Sequence, residues 1–324
     1  MASSITRNRK IALGNGAAAA IALFVLMFVV YVVHEPSALS LFGISNLLNN
    51  AVVLALAAAG LTLVVLCGEL DLSGPGLVAI ANVVVATTSG DSLGTTGSLI
   101  AVLAVGLIVG CLNGFLVAYL GLQSLAVTLG TLICCQGIAL LILPAPGGTV
   151  TDAIVYGLTG DVFGVPVPAI LVALTCIIWL LLKHSRMGIA LYAVGTDPAA
   201  ARLSGFNIRT TKLFAFIAAG LFYAFAGFVF SAQIGSGDPR ISDSFLLFMF
   251  ASVAIGGTSL LGGRGGIVGT LAGAAILTVL QKMLFALGVA DFYTNIFNGI
   301  IMILAIFFGQ VSAFLARRPL RRKV

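Results

Sequence analysis

Charge is so sparse in this chain that whole segments pass without any. Ile11–Val33, Ser98–Tyr119 and Leu125–Leu143 carry no charged side chain. Each is close to the length of a membrane-crossing helix, since a span needs about 20 apolar residues to cross a hydrocarbon core about 30 Å thick. Read the same way, the sequence holds ten such segments: Ile11–Val33, Asn50–Cys67, Gly74–Thr88, Ser98–Tyr119, Leu125–Leu143, Val167–Leu182, Leu213–Phe230, Ser244–Ile255, Gly266–Leu287 and Tyr293–Phe308. The eighth is short and broken by glycines. Over the 324 residues, 60 % are apolar and 8 % charged, against roughly 45–50 % and 25 % in an ordinary soluble domain. Too little polar surface exists to cover a soluble fold. A water-soluble enzyme, a disordered chain and a nucleic-acid binder are therefore excluded. A length that would suit two soluble domains reads instead as one all-α, polytopic helical membrane domain.

The few charges are placed unevenly. With the N-terminus inside and ten alternating spans, fourteen of the sixteen Lys and Arg residues fall on the cytoplasmic side. Arg240 alone falls outside, and Lys282 lies within a span. Glu35, Asp91, Asp152, Asp161, Asp238, Asp243 and Asp291 fall outside. This is the positive-inside distribution. It accounts for the net charge of +6, and no basic stripe alternates with aromatics as a nucleic-acid stacking groove requires. The reading gives a cytoplasmic N-terminal tail (1–10), a transmembrane domain (11–308) with a cytoplasmic segment at 183–212, and a basic cytoplasmic C-terminal tail (309–324). Arg7, Arg9 and Lys10 precede the first span as they would a signal peptide. Its apolar core is longer than a typical h-region and no clear small-residue cleavage site follows His34-Glu35-Pro36, so it is expected to remain as a span.

Three interruptions of the apolar pattern stand out. The first is Gly68-Glu69-Leu70-Asp71-Leu72-Ser73-Gly74-Pro75-Gly76. Acids inside an apolar run are costly and are functional candidates by default. Here Asp71 or Ser73 can also cap the third span, with Pro75 in its first turn. The second is Gly195-Thr196-Asp197-Pro198-Ala199-Ala200-Ala201-Arg202-Leu203-Ser204-Gly205, within the long basic loop. Asp197 suits an N-cap and Pro198 the first helical position. Ala199, Ala200 and Ala201 propagate a helix, and Gly205 can end it in the left-handed conformation. So short a helix frays without support, so a packing partner is expected. The third is Gly256-Gly257-Thr258-Ser259-Leu260-Leu261-Gly262-Gly263-Arg264-Gly265-Gly266. It lacks the Gly-Lys-Ser/Thr end of a phosphate loop and reads as a tight cytoplasmic turn.

No catalytic constellation is legible. His34 and His184 fall on opposite sides of the membrane, so neither a metal cluster nor a Ser-His-Asp set can form from them. Cys67, Cys111, Cys134, Cys135 and Cys176 all sit in apolar stretches without metal-ligand spacing and read as small buried hydrophobes. No metal or cofactor is expected. The spans carry neutral polar groups, Asn82, Asn113, Gln136 and Asn298, with Gln281 near a span end. Each either bonds across helices or lines a path; as a set they suit a neutral polar solute. The 39 glycines permit close and mobile helix packing. A faint echo links Asn113-Gly114 and Leu120-Gly121 to Gln281-Lys282 and Leu287-Gly288, in spans that run in opposite directions.

These motifs resemble those of the permease subunits of bacterial ABC importers for monosaccharides, the ribose/xylose/galactose group. The likeness runs from about Asn46 to Phe308. It rests on Gly68 with Leu70-Asp71-Leu72-Ser73, similar to the family's Gly-x-Ile-Asp-Leu-Ser-Val-Gly. It rests also on Ala199-Ala200-Ala201-Arg202-Leu203-Ser204-Gly205, and on Gly256-Gly257-Thr258-Ser259-Leu260 with Gly262-Gly263-Arg264-Gly265. Asp197-Pro198 and Gly74-Pro75 depart from the family pattern. The resemblance implies a transport subunit rather than an enzyme, in a bacterial inner membrane. A cytoplasmic ATPase would dock on Asp197–Gly205, a binding protein would deliver the sugar from outside, and a second permease copy or a sister chain would complete the path. Other readings are a permease for a branched-chain amino acid or a furanosyl molecule, an ion-coupled secondary transporter, and a membrane-embedded enzyme. The last two are opposed by the lack of intramembrane acid pairs and of a catalytic set.

Overall fold

The computed structural model describes residues 2–90, 93–240, 243–288, 296 and 299–300. In chain order the helices are α1 (Ala2–His34), α2 (Leu41–Leu66), α3 (Gly74–Thr88), α4 (Gly94–Ala118), α5 (Ser124–Ile142), α6 (Asp152–Thr159), α7 (Val167–His184), α8 (Arg186–Thr196), α9 (Pro198–Leu203), α10 (Ile208–Ile234), α11 (Asp243–Ile255) and α12 (Ile267–Ala286). A small antiparallel pair, β1 (Asp161–Val162) and β2 (Val165–Pro166), precedes α7. Seven of the described helices are long and apolar enough to cross a membrane, and α3 and α11 are shorter apolar helices. The protein is therefore an all-α polytopic membrane protein. Of the tenth expected span, Tyr293–Phe308, only residues 296, 299 and 300 are described, and the tail 309–324 lies outside the described residues.

Helix α2 is the centre of the bundle. Every residue from Ala51 to Leu66 is buried, because α10, α12, α11 and α7 pack around it. It begins earlier than the hydropathy pattern suggests: Ser40 caps it by accepting from the Gly43 N–H at 2.9 Å. The seam between α4 and α10 is built on glycine. A Cβ on Gly220 would lie 2.3 Å from the Gly106 carbonyl oxygen, and one on Gly110 2.6 Å from that of Phe216. Such closeness allows backbone-to-backbone packing where no hydrophobic force separates helix from lipid. The outward faces of α4, α5 and α7 carry exposed Ile108, Leu141 and Leu181, apolar surface that suits lipid.

Two triplets repeat one packing scheme. In the first, long α2 leads to short α3 and long α4; in the second, long α10 leads to short α11 and long α12. α10 packs on α4 and α3 as α2 packs on α12 and α11, and α2 and α10 pack on each other. Helices α4 and α12 lead into Gly121 and Gly288, at φ +70° and +71°.

The helix connections gather in two groups at opposite ends. In one, the Gly263 N–H donates to Leu66 O at 3.1 Å, the Tyr192 hydroxyl to Gly265 O at 2.6 Å, and Arg209 lies 5.9 Å from the Tyr119 ring centre. In the other, Gly147 and Gly237 exchange backbone hydrogen bonds, the Thr149 N–H donates to Ala86 O at 3.0 Å, and the Asn49 amide donates to Thr159 O at 3.1 Å. The α2–α3 turn belongs to the first group and the α10–α11 connection to the second, so the triplets are inverted, a frequent transporter plan.

Four elements were not expected from the sequence: a 3-10 turn at Pro36–Leu39, α6, the β1–β2 pair and α8. The long basic loop contains not one helix but two. Helix α8 buries Gly188, Leu191 and Val194 at i, i+3 spacing together with Ala190, an amphipathic pattern diluted by its glycines.

Candidate functional site

The exposed helix α9 forms from its own local sequence. Asp197 accepts hydrogen bonds from the Ala199 and Ala200 N–H groups at 2.9 and 3.1 Å, and Pro198 occupies the first turn. The helix ends at Ser204, and Gly205 follows at φ +83°. Only Ala201 is buried; Asp197, Pro198, Ala199, Ala200, Arg202, Leu203, Ser204 and Gly205 are exposed. Leu203, at 91 % exposure, presents its whole side chain. The helix touches α8 and the start of α10, and its outer face is bare.

The segment after α2 is held differently from the simple cap anticipated. Ser73 makes no side-chain cap on α3. Instead the Asp71 carboxylate accepts from the Ser73 N–H and hydroxyl, at 2.9 and 2.6 Å. The Asn113 amide donates to the Ser73 hydroxyl at 3.1 Å, and the Thr131 hydroxyl donates to Asn113 Oδ1 at 2.6 Å. Asp71, Ser73 and Asn113 are all buried. The backbone is tied as well. The Leu72 N–H donates to the Thr128 hydroxyl at 3.0 Å and the Leu70 N–H reaches the Ser124 hydroxyl at 3.4 Å. Ser124, Thr128 and Thr131 stand at i, i+4 and i+7 on α5. That spacing puts them on one helix face, a signal the sequence contained.

Glu69 forms an ion pair with Lys212, in the second turn of α10. Nothing local in the sequence marks the two as partners.

The glycine turn lies against this segment. Gly257, Gly262 and Gly263 have φ of +77°, +87° and +71°. A Cβ on Gly262 would come within 2.8 Å of Gly68 Cα, and one on Gly195 within 1.9 Å of Leu66 O. Three backbones thus meet where α2, α8 and the α11–α12 turn end. Gly256 packs against Gly269, while Arg264 is exposed and its carbonyl accepts from the Ser259 N–H at 3.0 Å.

Of the neutral polar groups, Asn82 is fully buried and satisfied. Its amide donates to the Ser231 hydroxyl at 2.9 Å and to Ser236 O at 3.0 Å, and its oxygen accepts from the Asp238 N–H at 2.6 Å. Asn82 is thus a clamp on the 236–238 segment, as Asn113 is on Ser73. Gln136 differs. It lines a cavity of about 260 Å³ with Pro75, Leu132, Leu246 and Leu247, where α3, α5 and α11 converge. Asn298 lies outside the described residues.

The family described as "Branched-chain amino acid transport system / permease component" matches residues 43–306, and the chain belongs to it. It is 34 % identical to the ribose import permease protein RbsC of Escherichia coli strain K12, over 88 % of this chain and 91 % of that one. It is also 34 % identical to the RbsC protein of Bacillus subtilis strain 168, over 88 % and 89 % of the two chains. The galactose/methyl galactoside import permease protein MglC of Haemophilus influenzae is 28 % identical over 94 % and 96 %. No solved structure matches.

Proposed function

We propose that this chain is the membrane-spanning subunit of an ATP-driven ABC importer that takes up a monosaccharide. The observation that carries the reading is the likeness to ribose and galactose import permeases across about nine-tenths of each chain. In this reading ten helices span a bacterial inner membrane and both termini face the cytoplasm. The end of the bundle that carries Glu69, Lys212 and α9 is then the cytoplasmic one, in line with the distribution of Lys and Arg.

The division of labour follows. A cytoplasmic ATPase docks on Asp197–Gly205, where Leu203 and the alanine face stand free. A binding protein delivers the sugar at the opposite end. A second permease copy, identical or a sister, faces this one across the path. The solute passes along the α3–α5–α11 face, where Gln136 offers an amide in an otherwise apolar cavity. At about 260 Å³ the cavity is smaller than the roughly 300–1,000 Å³ of sites for drug-sized ligands, as a small solute requires. ATP hydrolysis on the other chain drives rigid-body alternation.

The family's description favours a second solute class, branched-chain amino acids. One experiment separates the two. The permease is reconstituted in proteoliposomes with its ATPase and binding protein, and uptake of labelled ribose, galactose and leucine is measured with ATP and, separately, with a proton gradient. ATP-dependent uptake of a sugar is the expected result. Leucine uptake would move the chain to the second class, and uptake driven by the proton gradient alone would overturn the ABC reading.

A further inference from the structure

The ATPase-docking helix and the solute cavity stand apart in the structure, and something must carry movement between them. One continuous chain of contacts does so. From α9 the backbone turns at Gly205 and enters α10, whose start is fixed by Asn207 accepting from the Arg209 and Thr210 N–H groups at 3.1 and 3.3 Å. Lys212 follows in α10 and pairs with Glu69. Glu69 belongs to the 68–73 segment, which is bonded to α5 through Ser124 and Thr128 and to α4 through Asn113. That segment leads directly into Pro75, and α5 carries Leu132 and Gln136; all three line the cavity.

We infer that the Glu69–Lys212 ion pair is the positioning link through which the docking helix moves the inner end of α3 against α5. The inference rests on the ABC reading above. Three observations favour it over a surface pair that merely decorates the loop. The side chains are 17 % and 22 % exposed, so solvent screens them only in part. It is the one ion pair among the described residues. And it joins two elements with no other side-chain hydrogen bond between them among those described, the 68–73 segment and the first turns of α10. Asp71, the other acid of the segment, is turned onto Ser73 and faces Tyr223 of α10, about three turns beyond Lys212 and deeper in the bundle, so it does not reach the start of α10. Arg209, one turn before Lys212, is engaged with the Tyr119 ring. Coupling between distant sites needs packed or bonded elements with discrete arrangements, and a charge pair that holds in one state and parts in another supplies such an element.

The test uses the complete importer in proteoliposomes, and its readout is sugar taken up per ATP hydrolysed. The wild-type complex is measured first: without ATP-dependent sugar uptake the ABC reading fails, independently of the link. Given that uptake, Glu69→Gln and Lys212→Met are each expected to retain co-purification of the ATPase while the ratio falls at least about fivefold, within the range that coupling residues control. The exchange Glu69→Lys with Lys212→Glu is expected to restore at least about half of the wild-type ratio. Should one single variant fail to accumulate in the membrane, the other against the exchanged pair makes the same comparison. Single variants with a wild-type ratio overturn the inference. So does an exchanged pair that folds and binds the ATPase but stays as uncoupled as its parents.

Discussion

Replacing Asp197 by Ala isolates the local physics of α9, the helix proposed above to dock the ATPase. The helix has six residues, far below the roughly 12–15 at which even good helix formers are marginal in water. It buries only Ala201, so packing contributes little. Its order depends on the Asp197 carboxylate, whose Oδ1 accepts from two N–H groups at 2.9 and 3.1 Å, and on Pro198 with its preset φ. Loss of an N-cap costs about 1 kcal/mol. Apparent affinity scales with the fraction of the binding-competent state, so where the helix is marginal that cost becomes a roughly fivefold weaker Kd for the ATPase. Asn caps as well as Asp, so Asp197→Asn is expected to stay within about twofold of wild type. The assay is titration of purified ATPase onto the permease in nanodiscs, with both variants beside wild type. Equal weakening by Ala and Asn would mean that the charge, not the cap, matters, and the argument from helix order would fall.

Two further changes probe the frame. Gly195→Ala places a methyl group 1.9 Å from Leu66 O and 2.7 Å from the Gly263 nitrogen. It is expected to lower the thermal midpoint in detergent markedly, since backbone on both sides cannot give way; an unchanged midpoint would show that this junction is looser than described. Asn82→Ala removes three hydrogen bonds from a fully buried site, each unpaired partner costing about 1–3 kcal/mol. Amide exchange at Ser236–Asp238 should speed up by at least about tenfold, and unaltered exchange at Asp238 would refute the clamp.

What the sequence disclosed followed the range of the interactions. The α9 helix was legible residue by residue because its cap, proline and terminating glycine act within a few positions of one another. The spans were legible because lipid imposes one length and one polarity on each. Asn82 and Asn113 were legible only as polar residues in apolar helices. Whether such a group faces a solute or a neighbour depends on Ser231 and Asp238 in one case and Ser73 and Thr131 in the other, and the partners are up to 156 positions away. Glu69 and Lys212 are separated by 143 positions, and nothing local marks either as paired. Helix α8 was hidden by glycines that weaken its pattern. One of them, Gly195, lets Leu66 and Gly263 approach, while Gly188 lets the end of α7 fold against it.

The inverted triplets give the cavity its position a physical reason. Each triplet contributes a short helix, α3 or α11, flanked by longer ones. A helix of 15 or 13 residues rises only about 1.5 Å per residue, so it falls short of a bilayer's thickness and its crossing is completed by the backbone beside it. The backbone before it must therefore fold back at membrane depth, where side chains have to satisfy it. Before α3 those side chains are Asp71, Ser124 and Thr128. The cavity lies where α3 and α11 meet beside α5, at the interface between repeats, as in many transporters. The repeats are not equivalent, however. On the reading proposed above, Glu69 stands at the inner end of the first, near the proposed ATPase side, whereas the matching connection of the second lies at the opposite end and is held by Asn82. A push delivered at α9 would therefore reach α3 through the Glu69–Lys212 pair and α11 only through the bundle. If the link operates as inferred, the inner end of α3 moves while the outer 236–238 segment stays clamped, and the cavity opens at one end at a time.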